Sequence, residues 1–241
     1  MSYLLVFVAI SALIILHEMG HLLAAKSAGI PIARFSVGFG PKLWGFKASE
    51  TEYWLSAIPC GGYVLPAMAD EKAFDALPLN KRLVYAMGGP LANLVGAVAF
   101  LSVGGMVISG ISLETVILFP LKQTWQTAME MCRIIPMLFS QPDQLSGVLG
   151  IVAVGGKQVG TNPLRLLELC FLLNVNLAIL NLLPIPPLDG GKIVMNVLER
   201  LYRPLKRLQV PLAVTGWALL ACLMIYVTIL DVLKIAHGMC A

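Results

Sequence analysis

Charged residues are scarce in this sequence of 241 residues. Asp, Glu, Lys and Arg make up 12% of the chain, whereas about 25% is usual in soluble globular proteins. Hydrophobic residues make up 58%, and the polar segments between the apolar ones are too short to form a large water-soluble domain. The sequence therefore predicts an integral membrane protein.

Cysteine is also infrequent, with five in the chain and no Cys-x-x-Cys pair or other metal-spaced cluster. This spacing gives no reason to expect a cysteine metal site. Cys170 and Cys222 lie within apolar segments, where cysteine commonly acts as a small hydrophobic residue. A disulfide between Cys132 and Cys240 is an alternative that the sequence leaves open.

Long apolar runs are what the sequence does contain. Four of them reach the roughly 20 residues that a helix needs to cross about 30 Å of hydrocarbon, and they lie near residues 3–25, 83–109, 164–188 and 210–235. We therefore expect an all-α membrane protein with four transmembrane helices. The segment 111–140 carries charges and two prolines, so it is predicted to be interfacial, with a partly inserted helix as the alternative. The first run lacks a basic start and is long for a signal peptide, so we expect it to be retained.

The basic residues between these runs predict their orientation. Seven lie between the first and second runs, five between the third and fourth, and only four in the long connection between the second and third. Because cytoplasmic connections are enriched in Lys and Arg, we expect the first and third connections in the cytoplasm and both termini outside. This bias accounts for the net charge of +4, so no nucleic-acid partner is inferred.

The first apolar run contains the sequence His17-Glu18-Met19-Gly20-His21. On a helix, His17 and His21 are one turn apart and project from the same face. Two neutral imidazoles at this spacing can hold one Zn²⁺, and Glu18 beside them can take a proton from water. Since ionisable groups are costly inside a bilayer, their clustering in one turn indicates a functional site.

A zinc hydrolase of this kind needs a third protein ligand and an open position for water. Asp189 follows an apolar run that is broken by three prolines within residues 184–187, and prolines at membrane depth are tolerated where the chain lines a cavity. In the predicted topology the first and third runs both pass inward, so His17, His21 and Asp189 lie near the same face. The alternative is that Asp189 is a turn residue that ends a helix.

Two motifs, HEMGH at 17–21 and NLLPIPPLDGG at 181–191, resemble those of the site-2 protease family of intramembrane zinc metalloproteases, particularly its bacterial RseP-like branch. Weaker landmarks occur in family order: GFGP at 38–41, IPCGGYV at 58–64, GGPLAN at 88–93 and LSGVLGI at 145–151. The resemblance implies one Zn²⁺ per chain, held by His17, His21 and Asp189. It also implies that Glu18 is the general base.

The same resemblance points to residues that contact substrate. Asn181 would steady the substrate backbone or the developing oxyanion, and Asn176 is a weaker candidate for that role. Asn93 would border the substrate path. The alternative for Asn93 and the preceding Gly88-Gly89-Pro90 is close helix packing near a helix start.

Residues 34–64 are expected to form a small β-hairpin or sheet after the first helix, because apolar residues alternate at period two from Phe35 to Phe39. The simpler interpretation is a cytoplasmic hairpin that joins two helices. In similar proteases the corresponding region dips into the membrane near the active site. We therefore expect Gly38, Phe39 and Gly40 to contact substrate, and a strand edge to hold its unwound segment.

The expected function is hydrolysis of peptide bonds in or near the transmembrane segments of membrane proteins, as in regulated intramembrane proteolysis. The partners would be those segments and the lipid bilayer, in a bacterial inner membrane, with the active site toward the cytoplasm. A membrane metal transporter and an inactive adaptor that binds transmembrane segments are the alternatives. Glu18 in its motif argues against the transporter, and the complete set of ligands and base argues against the adaptor.

RseP-like relatives commonly carry PDZ domains in the outer connection after the second membrane segment. About ten residues separate Ser109 from Pro120 in this sequence, so we expect no PDZ domain and do not carry over its size selection of substrates.

Overall fold

The computed structural model of the protein describes residues 2–68, 71–140 and 146–237. Their helices and strands follow in chain order: α1 (Ser2–Ser27), β1 (Ile32–Ala48), β2 (Thr51–Pro66), α2 (Glu71–Asp75), α3 (Leu79–Ser109), α4 (Phe119–Ser140), α5 (Val148–Val159), α6 (Pro163–Asn181), α7 (Asp189–Leu201) and α8 (Lys206–Ala236). A π-helical turn, Glu114–Leu118, precedes α4, and a 3-10 turn, Arg203–Leu205, precedes α8.

Four helices are long and apolar enough to cross a membrane: Ser2–Ser27, Leu79–Ser109, Pro163–Asn181 and Leu208–Ala236. Many of their large apolar side chains are exposed, as expected of helices whose outer faces meet lipid instead of water. The prediction of an all-α membrane protein with four such helices and a small sheet after the first is confirmed.

The third apolar helix is shorter than the sequence predicted. α6 ends at Asn181, although the apolar run that predicted it continues to residue 188. Proline lacks a backbone N–H and disfavours the helical conformation of the residue before it, so Pro184, Pro186 and Pro187 together interrupt the helix. The chain re-enters a helix at Asp189, which means that Asp189 begins a helix and does not end one.

The chain forms two compact units, each built from separate stretches of sequence. Among the described residues, the first unit comprises the chain up to Ile10, residues 94–179 and the chain from Val214 onward; the second comprises residues 11–93 and 180–213. The HEMGH and LDGG motifs therefore both belong to the second unit.

In the first unit, α8 supplies a carboxylate to the start of α5. The backbone N–H groups of Gly147 and Gly150 donate to Oδ2 of Asp231 at 2.9 and 2.8 Å. Helix N-termini carry unsatisfied N–H groups and a partial positive charge, so a buried carboxylate is stabilised there. A Cβ on Gly150 would lie 2.5 Å from the same carboxylate, which explains why this part of the 145–151 landmark contains glycine.

In the second unit, β1 and β2 form a two-stranded antiparallel sheet with several register shifts. Residues 34–37 have partners in two parts of β2, at 52–55 and at 62–65, and the hairpin closes with the pair Ala48–Thr51. The sheet packs on α1 through a buried cluster that includes Leu22, Ile30 and Phe35. The strands predicted within residues 34–64 are therefore present.

The second half of α7 is held in the second unit by Arg82 of α3. Nη1 of Arg82 donates to Oε2 of Glu199 at 2.8 Å and to Oδ1 of Asn196 at 3.1 Å. A buried guanidinium that is paired and hydrogen-bonded in this way holds its partners tightly, because an unpaired buried charge is very unfavourable. This contact fixes the helix that begins with Asp189 against α3.

Candidate metal centre

Three side chains that can bind a metal converge in the second unit. His17 and His21 project from one face of α1, and Asp189 is the first residue of α7. All three are buried, with 8%, 5% and 3% of their surface exposed. Among the described residues they form the one group of three or more His, Cys, Asp or Glu whose ligand atoms are close enough to hold an ion.

The ligand atoms of these residues form a nearly equilateral triangle. Nε2 of His17 and Nε2 of His21 each lie 3.1 Å from Oδ2 of Asp189, and the two Nε2 atoms are 3.2 Å apart. Ligands held tetrahedrally around Zn²⁺ at about 2.0–2.1 Å are roughly 3.3 Å apart. One cation at this position would satisfy all three lone pairs, whereas hydrogen bonds alone would require extra protons on the imidazoles. The donor set fits Zn²⁺.

The other ring nitrogen of each histidine also has a partner. Nδ1 of His21 donates to the backbone oxygen of Tyr85 at 2.8 Å, and Nδ1 of His17 lies 3.1 Å from the side-chain amide of Asn93. Such contacts fix the tautomer and the orientation of metal-binding imidazoles. The structure thus places Asn93, which is fully buried, against a predicted zinc ligand.

Asp189 is held by a charged neighbour as well. Nζ of Lys192 donates to Oδ1 of Asp189 at 2.9 Å, which leaves Oδ2 directed toward the histidines. Burial alone would raise the pKa of the Asp189 carboxyl, but its contacts with the imidazoles of His17 and His21 and the charge of Lys192 hold that pKa well below its ordinary value. The carboxyl is therefore ionised at neutral pH, as a metal ligand must be.

Glycines allow α3 to approach these imidazoles closely. A Cβ on Gly89 would lie 2.5 Å from Nε2 of His17 and from Nε2 of His21. At the adjacent positions in the two helices, Gly20 and Gly88 face each other's backbone carbonyl groups, so neither position has room for a side chain. Small residues allow membrane helices to pack at such short distances. The packing interpretation of Gly88 and Gly89 thus matches what the structure shows.

Glu18, the predicted base, follows His17 in α1 and lies against the β-sheet. A Cβ on Gly62 would lie 3.1 Å from Cγ of Glu18, so β2 reaches the HEMGH motif at Glu18. Phe39 stacks on Tyr63, with ring centroids 6.3 Å apart. The Gly38-Phe39-Gly40 motif is therefore linked to Glu18 through residues 61–63.

The remaining predicted residues lie elsewhere. Asn181 is the half-buried last residue of α6, in the second unit, and Asn176 is half-buried on α6 in the first unit. Cys132 is exposed, and Cys240 lies outside the described residues.

No role was predicted for Lys192 at this site, and for Asn93 the sequence predicted either substrate contact or helix packing. The role of Lys192 could have been predicted from its spacing, because residues three apart on a helix lie on the same face and Lys192 follows Asp189 by three.

Comparisons with known proteins identify a family and several relatives for this chain. The profile of Peptidase family M50 matches residues 5–224. A "Putative zinc metalloprotease" of Clostridium perfringens is 25% identical over an alignment of 332 positions, gaps included, which covers 97% of this chain and 99% of that protein. The "Regulator of sigma E protease" of Haemophilus influenzae is 39% identical over 101 residues, covering 38% of this chain and 23% of that protein.

A further relative matches only in part. The "Putative zinc metalloprotease" of Clostridium acetobutylicum is 38% identical over 124 residues, which cover 48% of this chain. The match spans about a third of that relative, 36% of its length. Since the profile extends over most of the sequence, the chain belongs to peptidase family M50, the site-2 proteases, and it has four helices that are long and apolar enough to cross a membrane.

Proposed function

We propose that this protein hydrolyses peptide bonds in or beside the transmembrane segments of membrane proteins, with one Zn²⁺ held by His17, His21 and Asp189. The observation that carries the proposal is the position of the ligand triangle. Two of its three corners lie on α1, a helix apolar and long enough to span a bilayer. A protease site at that position is reached by helices that diffuse within the membrane.

Each residue of the site then has a chemical role. When bound, Zn²⁺ supplies Lewis-acid polarisation of the substrate carbonyl and increases the acidity of water. The Glu18 carboxylate accepts the proton of the attacking water and later delivers it to the leaving amine. Lys192 keeps Oδ1 of Asp189 occupied, so that Oδ2 remains available as a ligand atom.

The side-chain amide of Asn93 orients His17 in this proposal. Nδ2 of Asn93 lies 3.1 Å from Nδ1 of His17, and the buried Oδ1 of Asn93 has no hydrogen-bond partner. If Nε2 of His17 is the ligand atom, Nδ1 carries the proton and needs an acceptor, which Oδ1 supplies once the Asn93 amide is turned by 180°. Asn93→Leu is expected to lower zinc affinity roughly 10–100-fold, as loss of such a partner commonly does. Asn93→Asp keeps an acceptor and should restore most of the affinity. Competition with a coloured chelator measures both, and an Asn93→Leu variant that binds zinc as tightly as wild type would contradict the role.

The β-sheet is the proposed substrate platform. Residues 39–46 of β1 include the exposed side chains Phe39, Leu43, Trp44 and Phe46, and an exposed apolar cluster of this kind suits contact with lipid or an apolar segment. A helical peptide bond is shielded by its own hydrogen bonds, so a substrate must unwind before hydrolysis. A strand edge can hold the unwound segment by β-augmentation. Gly62 beside Glu18 supports this arrangement.

Gly38, Phe39, Gly40, Asn181 and Asn176 remain proposed substrate contacts, the two asparagines toward the substrate backbone or the oxyanion. The location also belongs to the proposal: a bacterial inner membrane, with the active site toward the cytoplasm and both termini outside. This orientation is supported by the excess of basic residues in the first and third connections. Regulated intramembrane proteolysis is the process that such a site would serve.

The test is cleavage by the purified protein in liposomes. A transmembrane peptide with a fluorophore and quencher at its ends should be cut, activity should disappear on chelation, and added Zn²⁺ should restore it. Elemental analysis should give one zinc per chain. If the zinc-loaded protein leaves a panel of transmembrane peptides intact but digests an unfolded soluble protein, the proposed substrate class is wrong.

A further inference from the structure

A cavity of about 500 Å³ lies beside the ligand residues in the second unit. Its volume falls within the roughly 300–1,000 Å³ that is usual for ligand pockets. Two of its lining residues also contact the proposed zinc ligands: Tyr85, whose carbonyl accepts from His21, and Lys192, whose ammonium donates to Asp189. The cavity thus shares two wall residues with the surroundings of the proposed metal centre.

The end of β2 connects the cavity to Glu18. Gly62 packs against Glu18, and Leu65 and Pro66 line the cavity. Since an extended chain advances about 3.3 Å per residue, the cavity begins about 10–13 Å along the strand from the proposed base. A peptide paired with this part of β2 would bring a residue three or four positions from the scissile bond to the cavity.

We infer that this cavity is a specificity pocket, which takes a large apolar side chain located three or four residues from the bond that is cut. The inference rests on the proposed function and adds to it which side chains are accepted. Apolar groups from Leu65, Met68, Phe74, Val210 and Ala213 supply most of the lining.

The two basic residues of the cavity wall are each paired with a carboxylate. Arg82 pairs with Glu199 at 2.8 Å, and Lys192 pairs with Asp189 at 2.9 Å. A further charged side chain brought into the pocket would lose its hydration without gaining an unpaired counter-charge. Leucine, methionine and phenylalanine, which are frequent in transmembrane segments, gain from burial there.

The experiment uses sets of transmembrane peptides that differ at a single residue. The varied residue is placed in turn at each of the six positions on either side of the scissile bond. At one position three or four residues from the cut, peptides with Leu or Phe should have kcat/KM values at least tenfold above those with Ala or Asp, a difference typical of an apolar specificity pocket. Ala213→Trp fills the pocket and should reduce cleavage of the Leu and Phe peptides to the Ala level, with zinc content unchanged. Val214→Trp, at a neighbouring site that is 63% exposed, should retain the preference.

A second variant tests the same pocket in the opposite direction. Phe74→Leu enlarges it and should shift the preference toward Trp at the same substrate position. Equal cleavage of all peptides varied three or four residues from the cut would overturn the inference, as would a preference for Asp there. An unchanged preference in both Ala213→Trp and Phe74→Leu would overturn it as well. If wild type cleaves no transmembrane peptide at all, the proposed function itself fails, whereas cleavage without preference removes only the pocket.

Discussion

Replacing Glu18 with Gln is expected to abolish peptide hydrolysis while zinc remains bound. The carboxylate of Glu18 is not part of the ligand triangle, which consists of His17, His21 and Asp189. Gln has nearly the same shape but cannot accept the proton of the attacking water, and general acid–base catalysis typically contributes 10²–10⁴-fold. Single-turnover cleavage of a transmembrane peptide, together with elemental analysis of zinc, measures the two effects separately.

The control for Glu18→Gln is Glu50→Gln, the same change at an exposed residue of the β1–β2 turn. It should leave both cleavage and zinc content at wild-type values. Normal cleavage by the purified Glu18→Gln protein would refute the proposed base. In cells, the inactive variant should accumulate membrane peptides that the active protein removes, and a proteomic comparison of the two strains would identify substrates.

The three proposed zinc ligands were predictable from the sequence because two different kinds of signal coincide. The four-residue spacing of His17 and His21 has a meaning only on a helix, and the long apolar run predicts that helix. Asp189 was placed near them by charge bias and topology, over a separation of 168 residues from His21. Residue spacing and charge bias can be read from the sequence alone, because neither depends on how side chains pack.

Contacts that depend on how α1 and α3 approach each other were not predictable in the same way. The sequence offered two interpretations for Asn93, and only the structure places its amide 3.1 Å from His17. The early end of α6 was not predicted, because residues 182–188 remain apolar and hydropathy alone gives no reason for the helix to stop. The prolines in this segment end the helix by their effect on the backbone. Strand alternation predicted the sheet, but not that residues 34–37 would find partners in two parts of β2, because register is set by tertiary packing.

Replacing Gly89 with Ala is expected to disrupt the metal centre although the change adds a single methyl group. The new Cβ would lie 2.5 Å from Nε2 of both histidines, far inside van der Waals contact. Its position is fixed by the backbone of α3, so the imidazoles or the helix must move. Overpacking typically costs about 1–3 kcal/mol, and if the imidazoles move, zinc affinity falls by roughly 10–100-fold. Chelator competition measures that affinity directly.

Gly104→Ala is the matched control, because Gly104 lies in the same helix and a Cβ there would meet no atom within 4 Å. Both substitutions gain the same helix propensity, up to about 1 kcal/mol for Ala over Gly, so any difference between them reports the contact with the imidazoles. Gly104→Ala should bind zinc normally. Equal zinc affinity in both variants would show that α3 tolerates a methyl group at Gly89, and the close approach would then not be a requirement of the site. A loss confined to Gly89→Ala would mean that metal binding depends on a position that supplies no ligand atom, because the helix backbone itself forms a wall of the site.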